Sequence, residues 1–165
     1  MNRIMQLIAL IVSRILAGLM LAIVLTVLWQ VFSRYVLQSP SAFSEEVSRF
    51  LLIWLGCLGA TYCYQKDSHL SLDIVANKLA PSNKLRLDIF CHSIVFIFSL
   101  IVMVFGGGYL VSITLNPVQT SAVLGMKMAY IYTILPISGL VFCFTAIDKM
   151  KNIIQQLSQL TTKRV

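Results

Sequence analysis

Two of the six acidic residues in this 165-residue chain are adjacent, in Ser44-Glu45-Glu46-Val47-Ser48-Arg49. Glu45 and Arg49 are spaced i,i+4 with the acid N-terminal, the better orientation for a helical ion pair. One reading is a helix start, with Ser44 as the cap and both carboxylates where the helix dipole favours negative charge. An exposed pair worth ~0.5 kcal/mol or less accounts for that spacing without a partner. The other reading is a polar contact with an external protein or a neighbouring subunit. His69 and His92 raise a different chemistry, haem ligation, which needs two facing, buried imidazoles. His69 follows Lys66-Asp67 in a polar break, so that pairing is not expected. Cys57, Cys63, Cys91 and Cys143 lie in apolar runs, form no C-x-x-C, and read as buried, inert thiols.

The elements that must position these groups are membrane spans. Apolar residues make up 58% of the chain and charged ones 12%, and mean hydropathy is +0.86. So few charges cannot keep the surface of a small soluble globule wetted. The composition excludes a soluble enzyme, a disordered chain and a secreted disulfide scaffold. The expected fold is an all-α integral membrane protein, one domain over 1–165, with spans at about 15–32, 47–64, 89–113 and 128–147. Trp29 and Tyr35 anchor the far end of the first span in the interface. The apolar stretch from Ile4 to Val12 either lies in the interface or lengthens a tilted first span. It reads as retained, because Arg14 interrupts the run and no small-x-small cleavage site follows.

Ten of the thirteen basic residues fall at the termini and in the middle loop, while Arg34, Arg49 and Lys127 fall at the other side. By the positive-inside rule both termini are cytoplasmic. The +7 charge is thereby explained by the membrane and its lipid, with no nucleic acid. Segments 69–80 and 149–160 read as amphipathic interfacial helices resting on lipid headgroups. Gly56 with Gly59 and Ala60, and Gly18 with Ala22, give small-residue faces that permit close helix contact within the chain or with another subunit. Pro136 with Gly139 is expected to kink the fourth span. Thr26, Gln30, Ser99 and Ser138 are the polar side chains available mid-span, and no Asp or Glu lies there to relay a proton or hold an ion.

Several stretches, in order and spacing, carry a resemblance. They are Trp29-Gln30-Val31-Phe32-Ser33-Arg34-Tyr35-Val36, then Phe43 through Trp54 with Gly59-Ala60, then His69-Leu70-Ser71-Leu72-Asp73, and more weakly Leu135 through Gly139. The chain resembles the small, Q-type (DctQ-like) membrane subunit of tripartite ATP-independent periplasmic (TRAP) transporters. The resemblance implies a non-catalytic subunit in the bacterial inner membrane that scaffolds a large multi-span permease and helps to dock a periplasmic substrate-binding protein. It implies a sodium-driven uptake system for an organic acid such as a dicarboxylate or sialic acid. Sodium is expected on the large subunit, with no cofactor on this chain. Arg34, Glu45, Glu46, Arg49, Trp54, Gly56, Gly59, His69 and Asp73 become the candidate interface residues. Two other classes stay open: a haem-b or quinone-linked anchor of an electron-transfer complex, and a stand-alone small transporter.

Overall fold

The computed structural model describes residues 3–66 and 81–162, and the regular structure among them is helical, apart from one isolated bridge. Segment 69–80, and with it His69 and Asp73, lies outside the described residues. Among the described residues, four stretches are long and apolar enough to cross a membrane: Met5–Tyr35, Ala42–Gln65, Lys84–Leu115 and Met128–Gln155.

Helix α1 runs unbroken over Arg3–Tyr35, 33 residues. At ~1.5 Å per residue it is about 50 Å long, well beyond a hydrocarbon core of ~30 Å. The stretch before Arg14 therefore lengthens the first span. It carries no proline, and its residues leave no reason for the helix to stop. Helix α2 covers Ala42–Gln65, with Ser41 as N-cap in extended conformation, its hydroxyl accepting from the Ser44 amide. The cap is thus three residues earlier than expected. Ser44 is buried and turns its hydroxyl back onto the Ser41 carbonyl at 2.9 Å.

The third span is continuous but changes winding. Helix α3 (Pro81–Phe98) passes into a π-helical segment (Ser99–Gly106) and then into α4 (Gly107–Leu115). The fourth is interrupted: α5 (Met128–Tyr132) and α6 (Ile134–Thr162) are separated by Thr133 alone. Pro136 explains the position of the break. It has no N–H for the carbonyl four residues back, Tyr132, and its ring crowds that carbonyl. The segment expected as interfacial at 149–160 is the continuation of α6.

In packing order the spans run first, second, fourth, third, an open row. Helix α1 packs on α2, α2 on α6, and α3 and the π-helical segment on α6. Val12, Leu58 and Ile134 form a small core cluster across the first three members of that row. Small polar residues also lie at the helix contacts. Thr61, Ser99, Ser138 and Thr145 are buried, and each hydroxyl donates to a carbonyl three or four residues back in its own helix. This self-satisfaction lets them lie at an interface without a partner in hydrocarbon.

The tightest approach lies between the third and fourth spans. A Cβ on Gly139 would stand 2.7 Å from the Met103 Cβ and 3.1 Å from the Val104 backbone nitrogen. One on Gly107 would stand 2.9 Å from the Leu135 Cβ and 3.0 Å from the Pro136 ring. By contrast Gly18 and Gly56 face open space and Gly59 meets Leu16 only at 4.0 Å, so their small-residue faces make no close contact within the chain. We expect Gly139→Ala to destabilise the purified chain by about 1–3 kcal/mol, the usual cost of overpacking, because Cβ and backbone atoms cannot swing aside. Gly108→Ala, at a position that meets nothing within 4 Å, is the control and should be neutral or stabilising. Equal thermal midpoints for the two variants in detergent would contradict this account of the crossing.

Candidate functional site

The polar groups collect at the two ends of the row. At the end holding both described termini, the Tyr64 hydroxyl meets His92 Nδ1 at 2.9 Å. Lys149 donates to the Tyr64 carbonyl and lies 4.6 Å from the centre of its ring. This cluster joins α2, α3 and α6 and includes the one histidine among the described residues. No three His, Cys, Asp or Glu side chains gather into a metal-binding group among the described residues.

The opposite end, formed by the 36–41 connection and the 116–127 loop, brings together four of the residues singled out from sequence, Arg34, Glu45, Glu46 and Arg49, while Trp54, Gly56 and Gly59 lie further along α2. There the two glutamates do different things. Glu46 Oε2 accepts hydrogen bonds from the backbone amides of Val123 at 3.0 Å and Leu124 at 2.9 Å. Those amides sit at the tip of a hairpin closed by a Thr120–Lys127 bridge and by Ser121 N–H donating to the Met126 carbonyl at 2.8 Å. Gly125 makes the turn in the left-handed region, with φ +65°. Glu46 therefore pins the hairpin to α2 through backbone donors, which leave no mark in the side-chain pattern. Glu45 instead reaches Arg49 at 4.0 Å, both largely exposed, a loose surface pair.

Gln30 ties the first two spans together here. Its Nε2 donates to the Ser44 carbonyl at 2.7 Å and to Ser48 Oγ at 2.8 Å. Arg34, in the last turn of α1, lines a cavity of about 200 Å³ with Gln30, Tyr35 and Glu45. Trp54 donates from Nε1 to the Ile131 carbonyl at 3.2 Å, in the last turn of α5 where helix carbonyls lack intrahelical donors. Beside it an apolar groove of about 250 Å³ runs between Leu19, Phe50, Trp54, Met126 and Tyr130. Toward the span centres, Thr26 bonds the Ala22 carbonyl at 2.7 Å, and Ser99 lies 3.2 Å from Cys143 Sγ. The described span centres present no charged side chain.

An arrangement of four spans with uncharged centres, polar ends and largely exposed apolar flanks fits a component embedded in a membrane. The family comparison decides which one. Residues 23–156 match the model of the DctQ component of tripartite ATP-independent periplasmic transporters. The chain belongs to the DctQ family. It is thus a transport component and not an enzyme, and family membership favours transport over the electron-transfer anchor. The chain is 25% identical over 139 residues to the sialic acid TRAP transporter small permease protein SiaQ of Vibrio cholerae, covering 84% of this chain and 79% of SiaQ. It is also 26% identical over 121 residues to the sialic acid TRAP transporter permease protein SiaT of Haemophilus influenzae. That match covers 72% of this chain but only 19% of SiaT.

The Glu46 contacts generate a direct test. Glu46→Ala removes the acceptor for two amides that sit at an exposed turn. We expect faster hydrogen exchange at Val123 and Leu124, with the amides of α2 unchanged. Unchanged exchange at the hairpin tip would show that the hairpin holds itself.

Proposed function

We propose that this chain is the small permease subunit of a sodium-driven TRAP uptake system for an organic acid of the sialic acid type, in the bacterial inner membrane. The observation that carries the reading is the DctQ match across residues 23–156. The sialic acid class rests on the names of the SiaQ and SiaT relatives. In this reading a large multi-span permease carries substrate and sodium, and this chain carries neither. The uncharged span centres support that division of labour, since a chain that moves an ion or polar solute usually places ionisable groups around a midplane site.

The role left to this chain is mechanical. A row of helices with exposed apolar flanks extends the stationary frame of the permease, so that the moving part travels against a wider wall. The groove beside Trp54 and the flank of α1 are the surfaces on which permease helices would pack. Placing the ten basic residues on the cytoplasmic side turns the Arg34–Glu46 end and the hairpin toward the periplasm, where the binding protein arrives. That most of SiaT lies outside its match to this chain supports a long permease partner for a DctQ-like part.

The test is reconstitution into liposomes with an inward sodium gradient and labelled sialic acid. This chain alone should give no gradient-driven uptake. Adding the large permease and the binding protein should restore it. Uptake by this chain without a large permease would overturn the proposal.

A further inference from the structure

The cavity between the ends of α1 and α2 has features that the scaffolding role does not use. Its 200 Å³ are lined by one cation, Arg34, and one anion, Glu45, with Gln30, Tyr35, Ser41, Val31 and Pro40 completing the wall. Among the described residues no carboxylate pairs with Arg34, while Glu45 is held only by the loose 4.0 Å contact to Arg49. The Gln30 amide has both Nε2 hydrogens committed to α2, which fixes the floor and leaves its Oε1 as the atom it offers to a ligand.

The depth is that of lipid headgroups. Arg34 lies in the last helical turn, between the interfacial aromatics Trp29 and Tyr35. Toward the membrane centre the seam between the helices continues as exposed apolar side chains. Val27 and Val31 lie one turn apart on α1, on the side of Arg34, and Leu52 lies two turns from Glu45 on α2.

We propose that this cavity binds the headgroup of a phospholipid carrying both a phosphate and a primary ammonium, of the phosphatidylethanolamine class. Charge complementarity selects the occupant. The guanidinium takes the phosphate oxygens through paired N–H donors. The ammonium donates to the Glu45 carboxylate and Gln30 Oε1, and the acyl chains lie along Val27, Val31 and Leu52. A purely anionic lipid such as phosphatidylglycerol satisfies Arg34 but sets nothing positive against Glu45. The inference does not depend on the transport reading, since it concerns the bilayer surrounding the chain.

The full-length chain in detergent is titrated with dioleoyl phosphatidylethanolamine or dioleoyl phosphatidylglycerol, and bound lipid is read by native mass spectrometry. The wild type should prefer phosphatidylethanolamine by about tenfold, the scale of one charge-assisted hydrogen bond. Arg34→Ala should weaken its binding by about the same factor, and Arg34→Lys by less. Glu45→Gln should bring phosphatidylethanolamine down to the level of phosphatidylglycerol. Arg49→Ala should preserve or strengthen binding, because it removes the internal partner of Glu45. Circular dichroism of each variant should match the wild type. Equal binding of the two lipids by the wild type would overturn the proposal, as would variants of Arg34 and Glu45 that hold phosphatidylethanolamine like the wild type. Loss of assembly with a large permease in Arg34→Ala, with lipid binding intact, would assign the cavity to a protein contact and overturn it equally.

Discussion

The contact of Gly139 with Met103 and Val104, and of Gly107 with Leu135 and Pro136, is the constraint on which the other helix positions rest. In lipid the helices gain little from burying apolar surface against one another, so contact depends on shape and on satisfied polar groups. Glycine on both sides lets two backbones approach where any side chain would separate them. The π-helical segment and the interruption at Thr133 fall at this crossing. Once it is made, α6 becomes the hub: 39% of the most apolar stretch of the fourth span is buried, against 11% for the first and third. Helix α2 packs on α6, and α1 packs chiefly on α2.

An open row built in this way has consequences for function. Its two edge spans keep long apolar flanks uncovered, with Leu21, Leu25 and Leu28 on the first and Ile97, Ile101 and Phe105 on the third all more than half exposed. Flanks of that kind serve lipid or a membrane partner equally well. The buried hydroxyls of Thr61, Ser99, Ser138 and Thr145 are turned onto carbonyls of their own helices. The polar side chains that reach outward are at the ends, where α1, α2 and the hairpin are tied together by Gln30 and Glu46.

Much of this was legible in the sequence, because the signals were of the kind that sequence carries well. Uncharged runs of span length mark the four spans, Pro136 marks the interruption of the last, and the i,i+4 spacing marks the Glu45–Arg49 pair. What escaped the reading depended on backbone or on distance along the chain. Glu46 finds its partners 77 and 78 residues away, and they are backbone amides, which every residue but proline carries. Ser41 displaced Ser44 as cap because Ser41 enters the helix extended, one turn earlier than the apolar run begins. The start of α1 at Arg3 was ambiguous, since an apolar segment flanked by Arg3 and Arg14 suits an interfacial helix and an extended span alike. Small residues advertised close packing at Gly18, Gly56 and Gly59, yet the chain makes its close contact at Gly107 and Gly139. Spacing shows where a helix can be approached; which helix approaches it is decided by the packing order of the row.

The central claim is that this chain is one part of a larger membrane assembly and is completed by a long permease. Co-expression of the tagged chain with the large permease subunit, followed by mass measurement of the detergent-solubilised complex, tests it most directly. The account predicts a stoichiometric complex that survives purification. Recovery of this chain free of the permease under the same conditions would contradict it.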